Sequence, residues 1–453
     1  MTATRERRRS RYLVGALVAL ALLAASCGNS SDDNESSSGS SPSGATTSSD
    51  APGVTADEIR FSAIGTNSGN PLGTCVLDCF VQGIRAYFDW RNSEGGIDGR
   101  ELVLDDADVL DDELAKNQVR ALEVTTANDT FATFSAAQFA DGWATLADAG
   151  IPTYVWAINA AQAAGHPEIF GNSGVVCGNC TTRTTPWLMQ QAEATTAAWL
   201  GYGVSDNSKQ CAQAGARSIE MYSDDIGGAT VGYLNDSLAF GLPNGIAPEV
   251  TAMKDAGVDM VFTCIDLNGM KSLAQEMERQ GMGDVPMYHP NTYNQDFVKE
   301  AGDLFVGDYV GVGFRPFEAD AAGSTLDTYF EWMDKNDYPL TELAMVGWIN
   351  ADTAYEGIVA AGDGFTRQSV IDATNAMTEF TAGGLVPPID WSRQHDAPTQ
   401  EDPTTNGYAQ ECVAFVQVDD NSEFEVFGDP SKPWHCWPNE NREWSEPTEQ
   451  NFQ

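Results

Sequence analysis

The feature that most limits what this chain can fold into is an alternation. From Glu58 onward, short apolar runs exchange with segments of helical period. "EIRFSAIG" reads as a strand ending in glycine. "CVLDCFVQGIRAYFDWRNSEGG" repeats Phe80, Ile84, Tyr87, Phe88 and Arg91 at helical spacing. "RELVLDDAD" alternates as a strand, "DDELAKNQVRALEVTT" is an amphipathic helix, and "TFATFS", "AQFADGWATLADAG" and "IPTYVWAIN" follow as strand, helix and strand. Parallel strands need a crossover between them, so this rhythm predicts a parallel sheet covered by helices on both faces.

A second cycle occupies the middle of the chain. "TPWLMQQAEATTAAWL" and "KQCAQAGARSIEMYSDD" read as helices, "ATVGYLND" as a strand and "IAPEVTAMKDAG" as a helix. "VDMVFTCID", "LNGMKSLAQEMERQG" and "VPMYHP" continue as strand, helix and strand. After "DYVGVGFRP" three helices are expected over Thr325–Asn336, Asn350–Ala361 and Thr366–Met377, and then strands at "ECVAFVQVD" and "EFEVFG". A chain of 453 residues is too long for one typical core. The order predicts an α/β protein of two Rossmann-like lobes with parallel-dominated sheets. The chain is expected to cross between them near Thr185, Pro316 and Pro387–Trp391. Lobe 1 then comprises 55–184 and 316–390, and lobe 2 comprises 185–315 and 391–453. The helix predicted to end at Trp199–Leu200 runs directly into "GYGVS". Either "AAWLGYGVS" supplies a short strand there or the second sheet lacks one.

"SEGGIDGRELVL" raises the question of a phosphate cradle. Such a cradle needs a strand, then glycines, then a helix N-terminus. Here a helix precedes Gly95 and Gly96, and a strand follows from Arg100. A helix C-terminus carries partial negative charge and repels phosphate. The glycines are read as a helix stop and a turn.

Acids outnumber bases 66 to 24. A surface of that sign repels nucleic acid and anionic lipid heads, so nucleic-acid binding is excluded as a function class. Five of the bases, Arg5, Arg7, Arg8, Arg9 and Arg11, precede an apolar run from Tyr12 to Ala25. Residues 1–26 have the layout of a secretory signal peptide. "LLAASC" resembles the bacterial lipoprotein box, with Ala24 where Leu is usual. It implies cleavage before Cys27 and a lipid on that sulfur. Residues 27–54 lack aromatic and large aliphatic side chains apart from Val54. They are read as a flexible tether, with a reach of roughly 30 Å.

Eight cysteines follow Cys27, and an even number in an oxidising compartment favours disulfides. The expected pairs are Cys75–Cys79, Cys177–Cys180, Cys211–Cys264 and Cys412–Cys436, one of many pairings that the sequence alone permits. "CGNC" does not open a helix after a core strand, so a structural bridge is favoured over redox chemistry. The four histidines show no paired metal spacing. The acidic run Asp105–Glu113 lacks the glycine and terminal glutamate of a calcium loop, and is read as a strand end and a helix start.

"GIRAYFDWRNSEGGIDGRELVLDDAD" resembles the opening unit of periplasmic binding proteins of the branched-chain amino acid type, the type I solute-binding lipoproteins of ABC importers. "MKDAGVDMVFTCID", "LAQEMERQGMGDVPMY" and "DTAYEGIVAAGDGFTRQSVIDA" follow in that family's order, so the resemblance runs from about Glu58 to Asp390. It implies a small solute held between two lobes by loops at the carboxyl ends of strands. In the first lobe it points to Ser68, to Ser135 and Ala136 at a ligand carboxylate, and to Trp156, Ala157 and Asn159. In the second it points to Tyr202, Ser205, Asp266, Asn291 and Tyr293. Trp156 and Ile158 depart from the family's small residue and threonine. Simpler roles compete: Ser135 as a turn residue, Asp266 as a helix N-cap, and Trp156 and Tyr202 as packed rings.

The resemblance implies capture of an amino acid or amino-acid-like solute and its delivery to an ABC permease. It also implies an extracytoplasmic monomer without a cofactor, held at the membrane only through its lipid. A sensor for amides or related solutes is the alternative. A secreted enzyme finds no support, since neither G-x-S-x-G nor a metal motif occurs.

Overall fold

The computed structural model describes residues 51–70, 74–178, 180–290, 292–396, 410–438 and 443–453. The signal, Cys27, most of the tether and Asn291 lie outside the described residues.

The first sheet contains β1 (Glu58–Gly65), β2 (Glu101–Val103), β3 (Val109–Asp111), β4 (Ala132–Ala136), β5 (Thr153–Val155) and, after a small strand β6 (Ile158–Asn159), β7 (Ile169–Gly171). β6 pairs separately with β8 (Val175–Val176). The order is β2-β1-β4-β5-β7, all parallel, with β3 taking over from β2 along β1. The single strand expected at "RELVLDDAD" is thus two short ones around a 3-10 turn at Asp106–Asp108. That turn carries acidic groups out to arginines: Asp105 and Asp108 to Arg60, and Asp106 to Arg85.

The helix Leu77–Ser93 ends as the glycines require. Gly95 N–H bonds to Asn92 O at 3.0 Å and Gly96 N–H to Arg91 O at 2.9 Å, with Gly95 at φ 109° and Gly96 at φ 65°. This is a Schellman stop, and the chain then turns through Asp98 and Gly99 into β2.

The second sheet holds β9 (Thr196–Tyr202), β10 (Thr230–Leu238), β11 (Met260–Cys264), β12 (Met287–His289), β13 (Tyr309–Val312), β14 (Gln410–Val418), β15 (Phe424–Val426), β16 (Trp434–Pro438) and β17 (Thr448–Gln450). Its order is β10-β9-β11-β12-β13-β14-β16-β17, with β15 on β14. The strands are parallel as far as β13 and antiparallel beyond it. The expected helix through Trp199–Leu200 is corrected here. The helix is only Thr184–Gln191, Glu193 turns the chain at φ 53°, and β9 is a full strand. Asp259 fixes its start by accepting the N–H groups of Thr195 and Thr196, and Trp199 stacks on Phe262 with ring centroids 4.6 Å apart.

The helices Leu326–Lys335, Glu342–Ala361 and Arg367–Asn375 return to the first lobe. The middle one begins eight residues before the expected Asn350. It lies against Leu77–Ser93, where an added Cβ on Gly83 would stand 1.8 Å from Ala344 O and one on Gly347 2.0 Å from Phe80 O. This close packing sets the start of the long helix beside the cleft. Trp391 packs edge-on to Phe170, Gln394 accepts from Val175 N–H, and His395 meets Ile169 O, so the chain stays on the first lobe through His395.

All four expected disulfides are present: Cys75–Cys79, Cys177–Cys180, Cys211–Cys264 and Cys412–Cys436. Among the described residues no helix is long and apolar enough to cross a membrane.

Candidate ligand-binding cleft

The parallel strands of both sheets direct their carboxyl ends toward one cavity of about 390 Å³. That is the region where open α/β sheets place ligands, and the size suits a small molecule. From the first lobe, Ala137, Gln138 and Ala140 follow β4, and Trp156, Ala157 and Asn159 follow β5. From the second, Tyr202 ends β9 and Ser205 follows it, Ile265 and Asp266 follow β11, and Pro290 and Tyr293 follow β12.

Local hydrogen bonds fix these groups. Ser208 Oγ accepts the Tyr202 N–H at 2.6 Å and donates to Cys264 O at 2.5 Å, tying the ends of β9 and β11 to the first turn of the helix Asp206–Met221. Ser205 caps that helix by accepting from Ser208 N–H. Tyr202 donates its hydroxyl to Asp266 Oδ1. Burial, followed by the bond to Asp266, raises the Tyr202 pKa, so the phenol stays a donor. Asp266 does occupy the N-cap position of the helix Leu267–Gln280, but its side chain makes no capping bond. Tyr293 donates to Glu318 at 2.6 Å and accepts from Phe317 N–H at 2.7 Å. Asn159 caps the short helix Ala160–Ala163 in a reciprocal box with Gln162 and also bonds to Asn207 across the cleft. Ala157 holds φ 52°, with its N–H on Asn172 Oδ1 at 3.1 Å.

Three expected contacts stand outside the cavity. Ser68 is exposed, and its N–H bonds to the Asp111 carboxylate. Ser135 is fully buried, and its Oγ accepts the Trp143 indole N–H at 2.9 Å. Ala136 is likewise buried within β4, where its carbonyl accepts from Thr66 N–H. The chain reaches the cavity only one residue later, at Ala137.

Other lining groups were not singled out in the sequence. Trp143 and Phe240 supply apolar wall, and the Cys211–Cys264 bridge forms part of the second lobe's face. Glu342 opens the long helix that was expected to begin at Asn350. Its carboxyl is half-buried and has no hydrogen-bond or ion-pair partner among the described residues; burial pushes its pKa up to about 7. No Lys, Arg or His lines the cavity among the described residues.

Two α/β lobes with a cleft at the carboxyl ends of their strands define a class of hinged solute binder. Residues 58–423 match the model of the periplasmic binding protein family. The chain belongs to that family, as a type I solute-binding protein of the ABC transporter kind, whose place is extracytoplasmic. No curated protein matches it. Solved structures share the fold at low identity. A fatty acid ABC transporter substrate-binding protein from Thermomonospora curvata has a TM-score of 0.66 and 18% identity, covering 87% of this chain and 95% of that one. A leucine binding protein from Thermotoga maritima gives 0.63 and 11%, with 82% and 98% covered. An ABC transporter solute binding protein from R. palustris, in complex with 4-hydroxybenzoate, gives 0.62 and 18%, with 83% and 98% covered.

Proposed function

We propose that this protein captures an amino acid or amino-acid-like solute in the cleft, closes its lobes around it and presents it to an ABC permease. The observation that carries this reading is the cavity itself, walled by both lobes and bridged by Asn159 and Asn207. A solute that touches both walls stabilises the closed form over the open one, and only such differential contact drives closure. The neighbours' named ligands, a fatty acid, leucine and 4-hydroxybenzoate, differ too much to choose among. The wall chemistry favours an amino-acid-like solute. Asp266 and Glu342 suit an ammonium group, while Trp143, Trp156 and Phe240 suit an apolar side chain. Ser205, Asp266 and Tyr293 take ligand contacts in this reading, as do Trp156, Ala157, Asn159 and Tyr202. A lipid on Cys27 anchors the monomer outside the membrane.

Isothermal titration against amino acids, amides and small carboxylates tests the capture step. At least one solute should bind, and Asp266→Ala should weaken it by about 1–3 kcal/mol. A broad panel without any ligand would overturn the reading. Cys27→Ser should release the protein from the membrane fraction; retention there would remove the lipid anchor.

A further inference from the structure

Resting on the solute-capture reading, we infer that the cleft selects an aromatic amino acid. Its ring is taken by Trp143 and Trp156, its ammonium group by Glu342 and its carboxylate by uncharged donors.

The tryptophans carry the inference. The chain has 11 of them, and all but two set their ring against another aromatic ring or a cation. Trp199 stacks on Phe262, for instance, and Trp332 meets Lys335. Among the described residues, only Trp143 and Trp156 have neither kind of partner, and both line the cavity. Ser135 pins the pair from behind the wall. Its Oγ accepts the Trp143 indole N–H at 2.9 Å, and its carbonyl accepts the Trp156 backbone N–H at 2.9 Å. The two rings are thus held in place at the cleft with no aromatic neighbour of their own.

An aromatic ligand gains from edge-to-face or offset contact with such rings beyond the area it buries, whereas an aliphatic side chain gains burial alone. Phe240 adds a third ring from the second lobe, itself edge-on to Tyr202 with centroids 5.0 Å apart. A cavity of about 390 Å³ accommodates the larger side chain.

Both charged ends of an amino acid also find groups that the protein leaves open. Glu342 has no hydrogen-bond or ion-pair partner among the described residues, whereas Asp266 already accepts from Tyr202. Gln138, after β4, has a buried Nε2 without an acceptor. Ser205 and Thr341 accept helix N–H groups through their oxygens, which leaves each hydroxyl proton free to donate. Hydrogen bonds from such donors to a carboxylate are charge-assisted, as is the bond of an ammonium group to Glu342.

The test titrates L-phenylalanine, L-tyrosine and L-tryptophan into the purified protein beside L-leucine and L-valine. 2-Phenylethylamine and 3-phenylpropionate carry the same ring with one charged end each. At least one aromatic amino acid should bind about tenfold more tightly than leucine and valine. Each one-ended probe should bind at least about tenfold more weakly than phenylalanine. Trp156→Leu keeps an apolar wall and removes a ring, and should shrink the ratio of phenylalanine to leucine affinity by about threefold to tenfold. That ratio separates loss of the ring from general damage, and the wild-type ranking stands even where the variant folds poorly. Leucine or valine bound as tightly as every aromatic amino acid, or an unchanged ratio in the variant, overturns aromatic selection but leaves solute capture standing. A one-ended probe that matches phenylalanine also overturns it. Failure of all five amino acids, with a ligand found elsewhere in the broad panel, overturns this inference alone. Failure of every solute overturns both readings.

Discussion

Asn159 and Asn207 meet across the cleft, the amide of Asn159 donating to Asn207 Oδ1 at 2.7 Å. One ends the small strand β6 and the other lies in the first turn of the helix Asp206–Met221. A bond between lobes exists only while they are closed, so it biases the hinge toward the closed form. Asn207 is the better residue to change, because Asn159 also caps its own helix. Asn207→Ala should weaken ligand binding by about twofold to tenfold, with little change in melting temperature because the site is exposed. Small-angle scattering should show a larger radius of gyration without ligand. Unchanged affinity and unchanged radius together would remove Asn207 from the closure mechanism.

Gly269 makes room for the Tyr202–Asp266 pair. A Cβ there would stand 2.5 Å from Tyr202 Oη and 2.8 Å from Asp266 Oδ1. Helix propensity alone would make Gly269→Ala stabilising by about 1 kcal/mol. The clash should reverse that sign and cost about 1–3 kcal/mol in chemical denaturation. Ligand affinity should fall with it, since both displaced groups line the cavity. A more stable variant with full affinity would show that the pair moves freely.

The fold was legible wherever period and punctuation agreed. Glu58–Gly65, the Schellman stop at Gly95–Gly96 and the amphipathic helix Leu267–Gln280 all carry local signals that match their surroundings. β9 was not, because "ATTAAWLGY" favours a helix locally. Pairing with β10 and β11 and the stacking of Trp199 on Phe262 override that preference. The first turns of Glu342–Ala361 were missed for another reason. Leu343 through Ala354 are all buried, so no polar face marks a helical period. Glu342 was hidden with them. Ser135 stands outside the cavity because strand alternation sets only the face of a side chain. A tryptophan eight residues later decides what that side chain meets.

The disulfides should differ in what they contribute. Cys211–Cys264 spans 53 residues and joins the helix Asp206–Met221 to β11, whereas Cys177–Cys180 spans only three. In the chain-entropy account the longer loop contributes about 4 kcal/mol and the shorter about 2 kcal/mol. Urea denaturation of the two double Cys→Ser variants should rank them in that order. Because Cys211 and Cys264 line the cavity, their loss should also weaken ligand binding. Equal stability losses would place the contribution in native packing rather than in loop closure.

Glu342 should leave a mark on the stability of the ligand-free protein. Burial raises its folded pKa from the ordinary 4.5 to about 7, so the native state holds a proton there that the unfolded chain releases first. Its contribution is complete below about pH 4.5 and is lost as pH rises through 7. The cavity groups around it are Asp266 and the phenols of Tyr202 and Tyr293, the latter bonded to Glu318; among the described lining residues no base offsets them. Asp352 also has a raised pKa of about 6, so the wild-type curve alone is not diagnostic. The informative quantity is the difference between wild type and Glu342→Gln. Melting temperatures from pH 4 to pH 9 should show the wild type losing ground to the variant across the 4.5–7 interval and running parallel above it. In the solute-capture reading, a saturating ligand whose ammonium group pairs with the ionised carboxylate should reduce that loss. A pH-independent difference would mean that Glu342 titrates as an ordinary surface acid, without the burial that makes it the cleft's free charge.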